Sequence, residues 1–527
     1  MGEKVRNLKS LLKFDWTSLL VVIIFLILAS YLLPRFLDNI NPDGFSYFGI
    51  TDKYLDHDFQ NALNGYWGPL YSWLLLPFIL AGINAPMAAK LLSVLIGFVV
   101  ILESNFLIKI LKIEQRLRAI SLSLIAVNVL YFTFNVVTPD LLFVCLSLGY
   151  LNIILTPSYS NRRIGGFACG IMGAFLYLTK AYGFFFFAVH FFVINLILFI
   201  SSKNKLHRAG ISFNYITGMI IFLLISVPWI LLISHKYGYF TIGTAGRFNH
   251  SLVGPNAINF PMHSAGLLPP PNSSAISIWE DISNVYMPSW SALHSTSNFI
   301  HQIVIIRNNI TRTITIFSQN SFFSLFILAG SAFYLIKKGR QFLHDKIFLI
   351  LVTMLILISG YLLILFEYRY LWLCNILLII SGFKILEIIF QRKTFKKISK
   401  MLIITIFVFS FLIHPVNDLC CDTSGFCHLA KINNEISSLE IKGRIASDKN
   451  WHEILWLAYF NNWRYYGEKG NLSELKLKSQ LEKYKIDYFI IWETKGSNFE
   501  FIKKNYYEIT HGIIDEFKIY DLNQSRQ

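Results

Sequence analysis

Five ionisable residues stand at the ends of apolar stretches. They are Asp43, Asp140 in Thr138-Pro139-Asp140, Lys180 in Leu178-Thr179-Lys180, and Glu367 with Arg369 in Phe366-Glu367-Tyr368-Arg369-Tyr370. A charge at the centre of a lipid-spanning helix costs roughly 2.5–3.5 kcal/mol and less at the edge, so charges kept there are functional suspects. Two cations and three carboxylates at one membrane depth suit chemistry on a lipid-linked phosphate. A sugar on a polyprenyl phosphate already carries a good leaving group and needs no general acid. One carboxylate can take the acceptor's proton, while cations hold the phosphate as its charge grows. A hydrolase would need two opposed carboxylates. Each residue also has an ordinary reading. Asp43 fits a helix N-cap or an acidic loop, and Asp140 a helix start behind proline. Lys180 fits an interfacial snorkel, and Glu367 with Arg369 a local ion pair.

The elements that must position these residues follow from composition. Of 527 residues, 54% are hydrophobic and only 15% charged, with a mean hydropathy of +0.51. Soluble domains carry nearer a quarter charged residues, which excludes a cytosolic enzyme and a disordered scaffold. The formal charge of +16 does not mark a nucleic-acid binder. Residues 416–527 hold 15 basic and 16 acidic side chains, and the basic excess lies between apolar runs in the first 415. Eleven runs are long enough to cross a bilayer as helices. They are 17–34, 86–108, 117–134, 139–156, 164–178, 182–200, 211–233, 321–336, 347–365, 370–390 and 398–414. Leu70–Ala81 is shorter and reads as an interfacial helix, and Arg307 and Arg312 interrupt the run Ile300–Phe317.

Basic clusters fall at the N-terminus (Lys4–Lys13) and after every even-numbered run, from Lys109–Arg118 to Arg392–Lys400. The positive-inside rule places them all in the cytoplasm. An odd number of spans then leaves the C-terminal segment outside, together with all five ionisable residues above. The first run is read as a retained span rather than a cleaved signal peptide. The expected architecture is an α-helical polytopic membrane protein of about eleven spans (1–415), with external loops 35–69 and 234–320. A small extracytoplasmic α/β domain (416–527) follows. Its helical patterns are Trp451–Asn461 and Ser473–Tyr484, and its strand-like runs Gly443–Ser447, Asp487–Trp492 and Phe517–Asp521. A disulfide from Cys427 to Cys420 or Cys421 is expected there. Asp56-His57-Asp58 is a weak cue for a divalent metal; no metal site and no cofactor are expected.

The chain resembles the GT-C integral-membrane glycosyltransferases, in particular the family of protein O-mannosyltransferases and the lipid A aminoarabinose transferase. The resemblance rests on NPDGFSYFGITDKYLDHDFQNALNGYWGPLYSWLL after the first run, then TPDLLF, LYLTKAYGF and FEYRYLWL in order. RIASDKNWHEILWLAYFNNWRYYGE and KIDYFIIWE look like that family's small outer domain. The resemblance implies a fold (GT-C-like) and roles. Asp43 would be the catalytic base or acceptor-positioning acid and Asp140 a second acid. Lys180 and Arg369 would bind the donor phosphate, with Glu367 orienting Arg369, and Tyr47, Trp67 and Tyr71 would line the cavity. Asp43 is followed by Gly44, where the mannosyltransferases typically have an Asp-Glu pair, so protein mannosylation is not favoured and the acceptor stays open.

The function these readings imply is an inverting hexosyl- or pentosyltransferase in a bacterial inner membrane. It would move sugar from a polyprenyl-phosphate donor to a lipid, glycan or protein acceptor on the extracytoplasmic face. Loop 234–320 would gate the cavity, membrane lipids would surround the chain, and nucleic acid would play no part. The rivals are a transporter or flippase of lipid-linked glycans, which needs ionisable residues near the bilayer midplane, and a surface-polysaccharide polymerase or ligase. No internal repeat is visible, which weighs against transporters built from inverted repeats.

Overall fold

The structure is a computed structural model that describes residues 16–257, 260–261, 265–391, 395–420, 424–493, 495 and 497–525. Each of the eleven apolar runs forms a helix. Apolar surroundings leave helix as the way for one segment to satisfy its own backbone hydrogen bonds. Among the described residues seven helices are long and apolar enough to cross a membrane: Trp16–Phe36, Ala85–Ile110, Gln115–Asn135, Tyr182–Ser201, Lys205–Tyr237, Tyr368–Phe390 and Lys397–Cys420. Asp140–Ile154, Ile164–Thr179 and Lys346–Tyr361 are shorter apolar helices. The chain is an integral membrane protein. The interrupted run lies within helix Thr296–Asn320, which meets Ser324–Lys337 at a bend of 104°.

The chain divides into two compact units. The first comprises Met1–Pro34, Met87–Gly246 and Ala292–Cys421. Its tightest seam joins helices Ile164–Thr179 and Lys205–Tyr237. A methyl group on Gly166 would lie 2.2 Å from the Asn214 carbonyl oxygen, and one on Gly170 2.4 Å from that of Gly218. Small residues spaced four apart let the backbones touch, the usual device for packing helices in lipid. Deep in this unit the His190 ring nitrogens meet Tyr150 Oη and Thr353 Oγ1, each at 2.8 Å. That occupancy makes His190 a satisfied core histidine, although it sits midway along its helix.

The second unit comprises Arg35–Pro86, Arg247–Ser291 and Asp422–Gln527. It holds helices Pro42–Leu55 and Pro69–Leu80 and a five-stranded sheet. The strands are β1 (Arg444–Ser447), β2 (Arg464–Glu468), β3 (Tyr488–Ile491), β4 (Tyr506–Glu508) and β5 (Lys518–Ser525), in the order β2-β1-β3-β5-β4. β1 is parallel to β2 and β3, and β5 is antiparallel to β3 and β4. Helices Trp451–Phe460 and Glu474–Tyr484 match the helical patterns. Ala446, Phe489, Ile491, Leu477, Leu481 and Tyr520 build the core beneath the sheet. The Pro-rich stretch Leu267–Asn272 joins this core through Leu267, and Leu268 N–H donates to the Tyr466 carbonyl at 2.7 Å. The expected disulfide falls partly outside the described residues: Cys421 and the side chain of Cys427 are not among them.

Candidate active site

In the first unit three helix ends converge. Asp140 opens helix Asp140–Ile154 behind the N-cap Pro139, where a carboxylate in the first turn favours the helix dipole. Lys180 is the extended residue that ends helix Ile164–Thr179, two residues before helix Tyr182–Ser201 begins. Gly183 makes that abrupt link feasible, since a methyl group there would sit 2.2 Å from the Leu176 carbonyl oxygen. Arg369 lies in the 3-10 turn Tyr368–Leu371, just ahead of helix Trp372–Phe390.

Lys180 Nζ donates to Asp140 Oδ1 at 2.5 Å, Thr138 Oγ1 donates to Oδ2 at 2.8 Å, and Arg369 Nε stands 3.6 Å from Oδ2. Lys180 Nζ also lies 4.4 Å from the Tyr370 ring centroid, and Tyr370 stacks on Tyr361 at 4.3 Å. The Asp140 side chain is 5% exposed, against 20% for Lys180 and 18% for Arg369. The cations therefore sit nearer to solvent than the carboxylate that holds them. Two cations on one carboxylate are groups that also give charge-assisted hydrogen bonds to a phosphate oxygen. Glu367 precedes this turn as its N-cap but makes no side-chain cap bond. Among the described residues the Arg369 guanidinium pairs with Asp140, and the ion pair expected with Glu367 is not formed.

Asp43 belongs to the second unit. It follows Pro42 in the first turn of helix Pro42–Leu55 and is buried, with Trp279 Nε1 donating to its Oδ1 at 3.3 Å. Its position is inside the helix, and Asn41 takes the N-cap place. Trp279 is itself fixed: its carbonyl accepts from Ser46 Oγ and Trp67 Nε1, both at 3.0 Å. The next residue, Glu280, forms a buried ion pair with Lys53. Glu280 Oε1 also accepts from Ile276 N–H at 2.6 Å, and its carbonyl accepts from Asn64 Nδ2 at 2.5 Å. Burial holds the Glu280 carboxyl above its ordinary range, with Lys53 opposing. Tyr47, Trp67 and Tyr71 meet edge to face, Tyr47 lying 5.3 Å from Trp67 and 5.0 Å from Tyr71. All three are buried, Tyr47 on the same helix as Asp43.

Sequence reasoning passed over Trp279, Glu280, Lys53 and Lys90. The first two lie in a Pro-rich loop without periodicity, and Lys53 is a lone lysine among Asp52, Asp56 and Asp58. Lys90, fully buried with Nζ 3.5 Å from the Phe134 carbonyl, carried the clearer signal of a lysine inside an apolar run. The Asp56-His57-Asp58 triplet is a cap: Asp58 accepts from the Asn61 backbone and side chain and from Ser274 Oγ. Those bonds hold its carboxyl below the usual range. Among the described residues no group of three or more His, Cys, Asp or Glu could hold a metal ion.

No family profile and no curated protein matches the chain by sequence. Its structure is similar to ArnT from Cupriavidus metallidurans bound to undecaprenyl phosphate. The TM-score is 0.57 at 12% identity, over 95% of this chain and 97% of that one. The apo state of the same protein superposes with a TM-score of 0.55 over the same shares. The likeness shows a GT-C fold with a small C-terminal sheet domain.

Proposed function

We propose that the chain is an inverting glycosyltransferase that moves a sugar from a polyprenyl-phosphate donor to a lipid, glycan or protein acceptor. The observation that carries this reading is the pair of cations, Lys180 and Arg369, held on the buried carboxylate of Asp140. In this reading Lys180 and Arg369 bind the phosphate of the donor. Asp140 is a positioning residue, because both its oxygens already accept hydrogen bonds. Asp43 takes the proton from the acceptor hydroxyl as the new C–O bond forms at the anomeric carbon. The bond from that carbon to the phosphate oxygen breaks, and the polyprenyl phosphate leaves with one further negative charge, which the two cations stabilise. Glu367 stays as a secondary candidate at the same turn.

The GT-C fold supports this chemistry, and the ArnT structure holding undecaprenyl phosphate supports a polyprenyl lipid as partner. Membership of the mannosyltransferase-like family rests on the sequence motifs alone. The charge pattern supports a cytoplasmic N-terminus, eleven spans in residues 1–415 and an extracytoplasmic domain in 416–527, in a bacterial inner membrane. The test is mass spectrometry of envelope lipids and glycans from cells carrying the wild-type gene, no gene or Asp43→Asn. The expected result is a glycosylated species present only with the wild type. Translocation of a lipid-linked glycan without any new glycosyl product would overturn the proposal.

A further inference from the structure

The helix that starts beside Lys180, Tyr182–Ser201, is 20 residues long. At 1.5 Å per residue it spans roughly 30 Å, about the thickness of a bilayer's hydrocarbon core. Its far end opens into a cavity of about 560 Å³ within the first unit. Four basic side chains line it: Lys203, His207, His344 and Lys346. Among the described residues no acidic side chain lines it. The nearest carboxylate in sequence, Asp345, is committed elsewhere, to Lys338, to Tyr334 Oη at 2.8 Å and to Ile347 N–H at 2.9 Å. Leu198 and Leu349 form part of an apolar wall. Beside the cavity in sequence, Ile200 and Leu206 are 58% and 81% exposed, as lipid-facing side chains are.

We propose that this cavity binds the phosphodiester headgroup of an anionic glycerophospholipid, at the membrane edge opposite the Asp140–Lys180–Arg369 cluster. Charge complementarity selects an anion, since Lys203, His207 and His344 line the space and Lys346, whose Nζ donates to the Ile110 carbonyl at 2.8 Å, adds positive charge at its edge. The apolar wall and the exposed apolar residues beside it select a lipid over a soluble anion, because acyl chains can continue along Leu198 and its neighbours. Basic pockets between helices at the cytoplasmic edge of a membrane are suited to this role. The distance from the first cluster makes it a site separate from the donor's. The site therefore stands whether or not the chain transfers sugar.

The test is native mass spectrometry of the full-length protein in detergent, titrated with phosphatidylglycerol, with phosphatidylcholine, and with phosphatidylglycerol in the presence of inorganic phosphate. Phosphatidylglycerol is expected to be retained preferentially. Lys203→Gln with His344→Gln changes two exposed side chains and should lower its retention by about fivefold or more, with the melting temperature kept. Arg162→Gln with Arg163→Gln, outside the cavity, should leave retention unchanged. Equal retention of the two lipids, or unchanged retention in the first double variant, would overturn the proposal. So would displacement by inorganic phosphate, which would make the site one for a soluble anion.

Discussion

The indole N–H of Trp279 donates to Asp43 across 3.3 Å, joining residues 236 positions apart. Trp279→Phe keeps the ring and removes the donor. Hydrogen bonds to charged groups are worth about 1.5–3 kcal/mol, so kcat should fall roughly 10- to 100-fold with donor KM and melting temperature little changed. Asp43→Asn should fall further, by about 10²- to 10⁴-fold, as loss of a general base does. Wild-type turnover in Trp279→Phe would remove Trp279 from the account.

The Lys53–Glu280 pair is buried on both sides. Lys53→Met leaves a carboxylate uncompensated and should cost about 3–5 kcal/mol, whereas adding Glu280→Met should restore much of that loss. Gly49→Ala tests the same contact sterically, since its methyl would lie 2.7 Å from the Glu280 carboxyl carbon. Thermal unfolding in detergent reads all three. Equal melting temperatures for the single and double variants would contradict the coupling.

Asp52 neighbours this pair. Burial first, then the Glu280 carboxylate, pushes its carboxyl up to about 6, with Lys53 opposing. An unfolded aspartate titrates near ~3.9, so between these values the folded protein binds the proton more tightly. Stability from this group is therefore present at low pH and is lost as pH rises from about 4 through 6. Asp52→Asn should stabilise the protein by about 1–3 kcal/mol at pH near ~8 and by nothing near pH ~3.5. A pH-independent difference in melting temperature would refute the assignment.

The helix seam at Gly166 and Gly170 has no room for a side chain. Gly166→Val should cost about 1–3 kcal/mol or more by overpacking and shift the melting temperature accordingly. A neutral effect would mean that the two helices separate easily.

Much of the first cluster was legible in the sequence, because lipid makes charge conspicuous. Asp140, Lys180 and Arg369 stood out against apolar runs, and alternating basic clusters assigned them to one face. The structure brings these three within ion-pair distance. Glu367 stood out equally, yet burial favours Asp140 as the partner of Arg369. Three strands were visible from their apolar runs. β2, RYYGE, follows a turn-like Asn-Asn and hides its apolar character in tyrosines, and β4 is only three residues long. Trp279 and Glu280 were illegible because their meaning lies in long-range contacts to Asp43 and Lys53, which no local period encodes. Arg307 and Arg312 obscured a helix of 25 residues, Thr296–Asn320, because the amphipathic pattern there competes with the span signal.

The most direct measurement is the affinity of the purified full-length chain for polyprenyl phosphate, compared across Lys180→Gln, Arg369→Gln and Asp43→Asn. The account predicts roughly 10- to 100-fold weaker binding for each cation variant, with the fold intact. It predicts wild-type binding for Asp43→Asn, with sugar transfer lowered about 10²- to 10⁴-fold. Undiminished affinity in both cation variants would contradict it.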